Sequence, residues 1–285
     1  MDALTLFISF TFFISTMFAI GLETDFSFFK RYKKWFRLLL SALIANYLII
    51  PLITIVLLHF IPIESGIKAG LFFLAVAPGA PLSVQFARGS SQKNSFSGFL
   101  LLVFSALDLL ITPFFVSLLF IKAPLHLNYH RLISIVILCM LLPLLSGLVV
   151  RYRLKLIADM LVKPANIIAS LAFPALIIVT LTLRSEAIHS IGLEQIMIIL
   201  LLLLLYMGIG WIAAGPSSED RNILAHHSCM RNTAFAYAVA QSSDLQPIIT
   251  VTIVAFSALM VPVNLLYSLG ERWISKRNNF NKDSQ

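Results

Sequence analysis

Long apolar stretches recur along the whole chain and leave few folds open to it. An α-helix rises about 1.5 Å per residue, so about 20 apolar residues cross a hydrocarbon layer about 30 Å thick. Stretches of this length repeat from one end of the 285 residues to the other. Because 59% of the residues are hydrophobic and 12% are charged, a soluble core cannot bury this much apolar surface. We therefore predict an all-α integral membrane protein whose solvent is the lipid bilayer.

Nine of these stretches are predicted to be transmembrane helices. The segments between them are too short for a soluble domain, so residues 1–285 are predicted to form one membrane domain, with a short cytoplasmic tail at 271–285. The first stretch has no basic segment before it and no cleavage site after it, which indicates a retained helix. The nine predicted spans are 3–22, 36–60, 67–87, 96–121, 132–150, 164–183, 191–214, 222–241 and 247–269.

The basic residues are distributed unequally between the loops. Loops after odd-numbered spans, with the C-terminal tail, contain sixteen Lys and Arg residues, and the remaining loops contain four. Since basic loops stay on the cytoplasmic side during insertion, the N-terminus is predicted outside and the C-terminus in the cytoplasm, in a cytoplasmic or plasma membrane. The net charge of +8 does not indicate a nucleic-acid partner, because the charges form no continuous basic stripe.

Two of the nine spans cannot be regular helices that face lipid. The third contains Pro78, Gly79 and Pro81, and two prolines so close together interrupt a helix. The first half of the eighth span is too polar for lipid contact. If spans 1–4 and 6–9 are inverted repeats, each interrupted span is the third helix of its repeat. Interrupted helices at matching positions of inverted repeats are typical of binding sites in secondary transporters.

Two charged residues lie deep in the predicted spans. Arg231 cannot lose its charge, and inserting it at the bilayer centre costs about 2.5–3.5 kcal/mol. It is interpreted either as an anion-binding or cation-mimicking group at a substrate site, or as part of a structural ion pair. Asp108 is the obvious partner, and we hypothesise a buried Asp108–Arg231 pair near the crossing of spans 3 and 8.

Polar side chains near the two interruptions are candidates for binding a substrate or a dehydrated ion, together with unwound backbone carbonyls. The alternative is that they only satisfy backbone groups freed by the prolines. His227 is either a proton-coupling group or an internally hydrogen-bonded histidine. Its neighbour His226 points in another direction on a helix, so no metal site is predicted. The neutral candidates are Ser83, Gln85, Asn232 and Thr233.

Motifs along the chain resemble those of the bile acid:sodium symporter family. Residues 17–22 are similar to that family's Met-Phe-Gly-Met-Gly-Leu, and residues 46–51 to its Gln-Phe-Leu-Ile-Met-Pro. Residues 77–79 and 86–89 resemble the Pro-Gly-Gly and Leu-Ala-Arg-Gly elements around its first broken helix, and residues 230–236 resemble Met-Gln-Asn-Ser-Gly-Leu-Ala. The motifs occur in the family's order over nearly the whole chain.

The resemblance implies a fold with a panel domain and a core domain that alternate access to a small organic anion. Spans 1, 5 and 6 form the panel, spans 2–4 and 7–9 form the core, and the broken helices cross within the core. It also implies a nine-span form that lacks the first helix of ten-span members, and Ser97 matches one of the two hydroxyl residues that follow the first broken helix.

The departures from the family fall on the sodium sites. The family's sodium-binding glutamate and glutamine correspond to His227 and Arg231, so one negative charge is lost and one positive charge is added. A positive charge about 4 Å from a sodium ion costs roughly 4 kcal/mol at an effective dielectric of about 20, which is about a thousandfold in affinity. We therefore expect transport without dependence on a sodium gradient, with proton coupling left open.

The sequence thus predicts a secondary active transporter of a small organic anion and no cofactor. Known catalytic motifs are absent, so no enzyme activity is predicted. Two alternatives stay open: a membrane sensor or relic that keeps the fold without transport, and an intramembrane enzyme that uses His227 or Cys229. The sequence makes no prediction about oligomeric state.

Overall fold

A computed structural model of the chain describes residues 3–23, 32–80, 82–87, 91–119, 134, 136–183, 192–241 and 247–283. These residues are almost entirely helical, and within these ranges the one extended contact is an isolated antiparallel bridge between Pro78 and Arg231. The prediction of an all-α fold is confirmed.

Twelve α-helices can be described, and two π-helical segments join them. The helix Tyr32–Phe60 contains the first π-helical segment, Ala45–Ile49, and the second, Val136–Leu141, precedes α7. In chain order the helices are α1 (Ala3–Glu23), α2 (Tyr32–Ile44), α3 (Ile50–Phe60), α4 (Ser65–Ala75), α5 (Leu82–Phe86), α6 (Ser91–Leu119), α7 (Leu142–Arg153), α8 (Lys155–Leu183), α9 (Leu193–Ala213), α10 (Ser218–Cys229), α11 (Thr233–Gln241) and α12 (Pro247–Asp283).

Three helical stretches among the described residues are long and apolar enough to cross a bilayer by length and composition: Trp35–Phe60, Leu193–Ala213 and Pro247–Glu271. Shorter apolar helices are Phe7–Glu23, Ser65–Ala75 and Phe96–Asp108. Large apolar side chains such as Leu204, which is 60% exposed, cover the outside of these helices. Such a surface suits lipid and not water, so the chain is an integral membrane protein. The count of nine spans stays a prediction.

The first interruption separates α4 from α5. The helix ends at Ala75, and Pro78 follows three residues later without a backbone N–H to continue the ladder. Gly79 has φ of +82°, a left-handed conformation that a residue with a Cβ rarely adopts. A Cβ at Gly79 would also lie 2.8 Å from the Cβ of Phe104, so both the backbone conformation and the lack of space require glycine here. Pro81 lies outside the described residues.

The second interruption separates α10 from α11 and crosses the first. The N–H groups of Gly79 and Ala80 both donate to the carbonyl of Met230, each at 3.2 Å. The N–H of Asn232 donates in return to the carbonyl of Ala77 at 2.7 Å. Each unwound segment therefore satisfies the backbone groups of the other, which is what permits irregular backbone inside a membrane protein.

The remaining helices enclose this crossing from two sides. On one side, α1 packs against α7 and α8, which also pack against each other. Gly21 of α1 and Gly147 of α7 allow this close approach, since a Cβ on Gly21 would lie 2.8 Å from the backbone nitrogen of Leu148. On the other side, α12 packs against α4, α9 and α11, and α9 packs along α10.

The packing of α9 on α10 depends on Gly210. A Cβ on Gly210 would lie 2.6 Å from the hydroxyl oxygen of Ser228 and closer still to the carbonyl of Leu224. The backbones of the two helices therefore touch at this point, next to the second interruption. Gly208 lies one half-turn earlier on α9, and a Cβ there would meet nothing within 4 Å.

We predict that Gly210→Ala destabilises the protein by about 1–3 kcal/mol, because the added methyl forces α9 and α10 apart. Gly208→Ala is the matched control and is expected to be neutral or stabilising by about 0.5–1 kcal/mol, since alanine is the better helix former. Thermal unfolding in detergent can be followed with a thiol-reactive dye, because Cys139 and Cys229 are both buried free thiols. Equal unfolding temperatures for the two variants would contradict the prediction.

Candidate functional site

The guanidinium of Arg231 lies at the crossing, completely buried, inside a ring of oxygen atoms. Its Nε donates to the carbonyl of Leu74 at 2.9 Å, and its Nη2 donates to the carbonyl of Ala75. Its Nη1 donates to the carbonyl of Ser228 at 3.0 Å and to the side-chain oxygen of Asn46 at 2.8 Å. The ring of Tyr206 lies 5.2 Å from the guanidinium carbon and supplies a cation–π contact.

Each of the three backbone carbonyls of this ring has lost its helical i→i+4 donor at an interruption, and that of Leu74 also accepts from the N–H of Ala77 at 3.2 Å. In a continuous helix Leu74 would accept from residue 78, but that residue is proline and has no N–H. The carbonyl of Ala75 would accept from Gly79, and that of Ser228 from Asn232, but both N–H groups donate across the crossing instead. The same backbone breaks that unwind the helices thus create the acceptors that bind Arg231.

Asn46 completes the ring and ties it to a third helix. Its amide nitrogen donates to the carbonyl of Ala42 at 2.9 Å and to the hydroxyl of Ser228 at 3.0 Å, so its oxygen is left to accept from Arg231. Asn46 belongs to the π-helical segment Ala45–Ile49, a rare conformation that is frequent at functional sites. The sequence places Asn46 inside the second predicted span, 36–60, but contains no sign that it lies next to Arg231.

Asp108 and Arg231 do not form the hypothesised direct ion pair. Among the described residues, the side-chain acceptors of Arg231 are three carbonyls and Asn46, and Asp108 is not one of them. The hypothesis failed because it assumed that a buried cation needs a carboxylate. Freed carbonyls at the ends of two helices carry partial negative charge and can replace it.

Asp108 instead bonds to two neutral side chains. It is completely buried on α6, where its Oδ1 lies 2.8 Å from the hydroxyl of Tyr47 and its Oδ2 accepts from the amide of Asn232 at 3.2 Å. The oxygen of the same Asn232 amide accepts from the N–H of Phe235 at 3.1 Å and caps the first turn of α11. Asp108 is therefore linked to the second interruption through Asn232.

His227 bridges the two broken helices to α6. Its Nδ1 lies 3.0 Å from the hydroxyl of Ser83, and its Nε2 lies 2.8 Å from the hydroxyl of Ser97. The Ser83 hydroxyl donates its hydrogen to the carbonyl of Ala80 at 2.6 Å, so it must accept from His227. This assigns the proton of the neutral imidazole to Nδ1. The three predicted residues Ser83, Ser97 and His227 therefore meet at one place.

His226 points the other way and belongs to a separate polar cluster. The amide nitrogen of Asn264 donates to the carbonyl of Met260 at 2.8 Å and to the sulfur of Cys229 at 3.1 Å. Its oxygen therefore accepts from Nδ1 of His226 at 2.8 Å, and Nε2 of the same ring lies 3.1 Å from the hydroxyl of Ser268. These contacts hold α10 against α12 and leave His226 and Cys229 no evident chemical role.

A cavity of about 990 Å³ lies between α1 and α8 on one side and the crossing and α12 on the other. Asn232 and Thr233, two of the predicted site residues, line its inner wall. Thr16 of α1 also lines it, and the Thr16 hydroxyl is buried without a hydrogen-bond partner among the described residues. Thr16 could not be predicted from the sequence, because one threonine in an apolar helix carries no distinguishing signal.

The other predicted residues are distributed around this cavity or outside the described set. Ser83 and Ser97 are completely buried behind the crossing, with His227 between them. Gln85 belongs to α5, but its side chain lies outside the described part of the chain. One end of the cavity is polar, where Lys163 lies near Asn166 and the amide of Asn166 donates to Glu23.

A sequence model described as the Sodium Bile acid symporter family matches residues 10–191, more than half of the chain. The matched segment contains the first interruption and ends before α9, so His227 and Arg231 lie beyond it. No curated protein matches the chain.

We predict that Arg231→Lys destabilises the protein strongly, because an ammonium has three donors at one point and cannot reach four acceptors arranged around a planar fork. Each acceptor left without a donor costs about 1–3 kcal/mol. Arg151→Lys is the control, since Arg151 forms a partly exposed ion pair with Asp159 and such pairs contribute about 0–1 kcal/mol. Similar unfolding temperatures for the two variants would show that the carbonyl ring does not hold Arg231.

Proposed function

The chain belongs to the Sodium Bile acid symporter family, and from that membership we propose that it is a secondary active transporter of a small organic anion that does not use a sodium gradient. At the level of the family, the protein is a membrane transporter and not an enzyme. The observation that carries the sodium-independent part of the proposal is the guanidinium of Arg231 in the oxygen ring at the crossing.

A ring of backbone carbonyls and a side-chain amide oxygen is the type of site that binds a dehydrated sodium ion in broken-helix transporters. Here a covalently attached cation takes that place and satisfies the same oxygens. A sodium ion entering the ring would have to displace four hydrogen bonds and lie close to a fixed positive charge, which costs roughly 4 kcal/mol at about 4 Å. Arg231 therefore acts in the proposal as a permanent substitute for an ion.

His227 occupies the position of the family's sodium-binding glutamate, and like Arg231 it is hydrogen-bonded to groups of the protein. The hydroxyls of Ser83 and Ser97 face its two ring nitrogens and are not free to coordinate an ion. The family's glutamate would bring a negative charge to this position, whereas a neutral imidazole brings none. Both positions that the resemblance assigns to sodium ligands are thus bound to protein groups.

The cavity suits an organic anion for three reasons. Its wall includes Asn232 and Thr233 at the N-terminus of α11, where the helix dipole favours negative charge. The Thr16 hydroxyl, which has no hydrogen-bond partner among the described residues, is available to a carboxylate or sulfonate. The rest of the lining includes apolar side chains such as Phe12, Ile20 and Met260, which suit the body of an organic molecule.

Alternating access in this proposal is a movement of two groups of helices around the cavity. The mutual packing of α1, α7 and α8 supports a panel made of predicted spans 1, 5 and 6, and the packing of the broken helices with α6, α9 and α12 supports a core. Nine spans arranged as inverted repeats, with the N-terminus outside, complete the proposed topology. Because Glu23 and Lys163 follow and precede spans on the predicted cytoplasmic side, the cavity is proposed to open to the cytoplasm.

We predict that purified protein in liposomes takes up a labelled organic anion equally well with an inward gradient of sodium or of potassium. The test panel is cholate, pyruvate and succinate, which differ in size and charge. Sodium-stimulated uptake of any of the three would refute sodium independence, and the absence of flux for the whole panel would count against the proposed substrate class. Uptake by Arg231→Gln is measured in the same assay, because this variant removes the guanidinium from the carbonyl ring while keeping a polar side chain.

We predict that the double variant His227→Glu/Arg231→Gln acquires sodium binding, since it restores the charge pattern of the family. Sodium at one hundred times its Kd would stabilise the variant by about 2.7 kcal/mol relative to potassium, visible as a rise in unfolding temperature. His227→Gln/Arg231→Gln is the matched control, which lacks the carboxylate and is expected to show no such rise. A sodium-dependent rise in the wild-type protein would contradict the account of Arg231.

A further inference from the structure

We propose that Asp108 is the proton-binding group of this transporter, with the hydroxyl of Tyr47 as its switching partner. The inference rests on the proposed transport function and adds a coupling ion to it. The proposal follows from the number of hydrogens available to the Tyr47 hydroxyl oxygen. This oxygen lies 2.8 Å from Oδ1 of Asp108 and 3.0 Å from the carbonyl oxygen of Phe104.

A phenol has one hydrogen to donate, and both neighbours of the Tyr47 oxygen are acceptors when Asp108 is ionised. In that state Tyr47 can satisfy Asp108 or Phe104, but not both. When Asp108 is protonated, its Oδ1–H donates to the Tyr47 oxygen and the Tyr47 hydroxyl donates to Phe104. The arrangement of three oxygens is therefore complete in the protonated state, and rotation of a single O–H bond adapts it to the ionised state.

The surroundings of Asp108 provide no direct ion pair. Among the described residues no cation lies within ion-pairing distance of its carboxyl group, and Tyr47 and Asn232 are its two described partners. The titratable or charged groups near it are Tyr47 on the π-helical segment, Arg231 at the crossing and His227 behind the ring of Phe104. The described helix α5 has no titratable or charged residue, and α1 has one, Glu23, at its last position.

One side chain, Asn232, lies between Asp108 and the cavity. The amide of Asn232 contacts Oδ2 of Asp108, and Asn232 also lines the cavity wall beside Thr233. Ser105 lies one turn before Asp108 on α6, with a buried hydroxyl that has no partner among the described residues. On release, the Asp108 O–H bond breaks, the proton passes to a water molecule in the cavity to give hydronium, and the carboxylate accepts from Tyr47.

Protonation of Asp108 and binding of an anion then favour each other. An ionised Asp108 repels an anion held near Asn232 and Thr233, and protonation removes that repulsion. By linkage, the anion raises the proton affinity of Asp108 by the same factor. Coupling between sites in proteins typically changes binding affinity by about 5- to 150-fold, so with substrate well below saturation an acidic exterior is expected to raise uptake by about tenfold.

The first test measures the proton directly and needs no substrate. Infrared difference spectra between acid and alkaline pH are recorded on protein in liposomes. Since the chain has 13 Asp and Glu residues, several carboxyl groups contribute to the protonated carbonyl stretch of the wild type. We expect one component band to be lost in Asp108→Asn and to shift in frequency in Tyr47→Phe, which keeps the carboxyl but removes its phenol partner. Asp159→Asn, at an exposed carboxyl, is expected to leave that band in place. A wild-type band unchanged by Asp108→Asn would overturn the proposal.

The second test measures coupling as a ratio of uptake with and without an inward proton gradient, for cholate, pyruvate and succinate. The ratio is expected to fall from about ten in the wild type to about one in Asp108→Asn, and to stay at the wild-type value in Asp159→Asn. An undiminished ratio in Asp108→Asn would overturn the proposal. If the wild type moves none of the three anions, the proposed function fails, while the infrared measurement still decides whether Asp108 binds a proton.

Discussion

The binding of one guanidinium to carbonyls that lose their helical donors where two helices break is the constraint on which the rest of the structure depends. Breaking a helix inside a membrane exposes backbone oxygens that neither lipid nor a regular ladder can satisfy. Arg231 donates to the carbonyls of Leu74, Ala75 and Ser228, each of which has lost its helical i→i+4 donor at the crossing. The cost of burying the charge and the cost of breaking the helices therefore offset each other, and neither feature would be stable alone.

This arrangement changes what the crossing can contribute to transport. A mobile ion is bound and released in each cycle, so its gradient can drive movement, whereas a side chain remains with its helix and contributes no gradient. In the proposed mechanism His227, between Ser83 and Ser97, extends the same principle to a second position. The crossing is then a permanently stabilised structure, and the free energy for accumulation has to come from another group or from the substrate itself.

The sequence predicted the fold at the level of helices, because hydropathy and proline positions determine where helices form from residues that are close together in the chain. It also identified Arg231, Asp108 and His227 as candidate site residues, since the sequence alone shows charged and polar residues inside apolar spans. It could not predict their partners, which lie far apart in the chain: Arg231 is 185 residues from Asn46, and His227 is 130 residues from Ser97. The error over Asp108 and Arg231 has the same origin, because backbone carbonyls are present at every position and leave no mark in a sequence.

The π-helical segment Ala45–Ile49 presents two consecutive side chains, Asn46 and Tyr47, to the buried side, where they reach Arg231 and Asp108. Neighbouring residues on an α-helix point about 100° apart, and a wider turn changes that relation. The side chains of α3 are therefore rotated about the helix axis relative to those of α2, compared with a continuous α-helix. One residue fewer would restore a regular helix and rotate α3 against α2 by about 100°. The length of this stretch is thus as tightly constrained as its composition, since losing one residue would separate both polar contacts even if Asn46 and Tyr47 were kept.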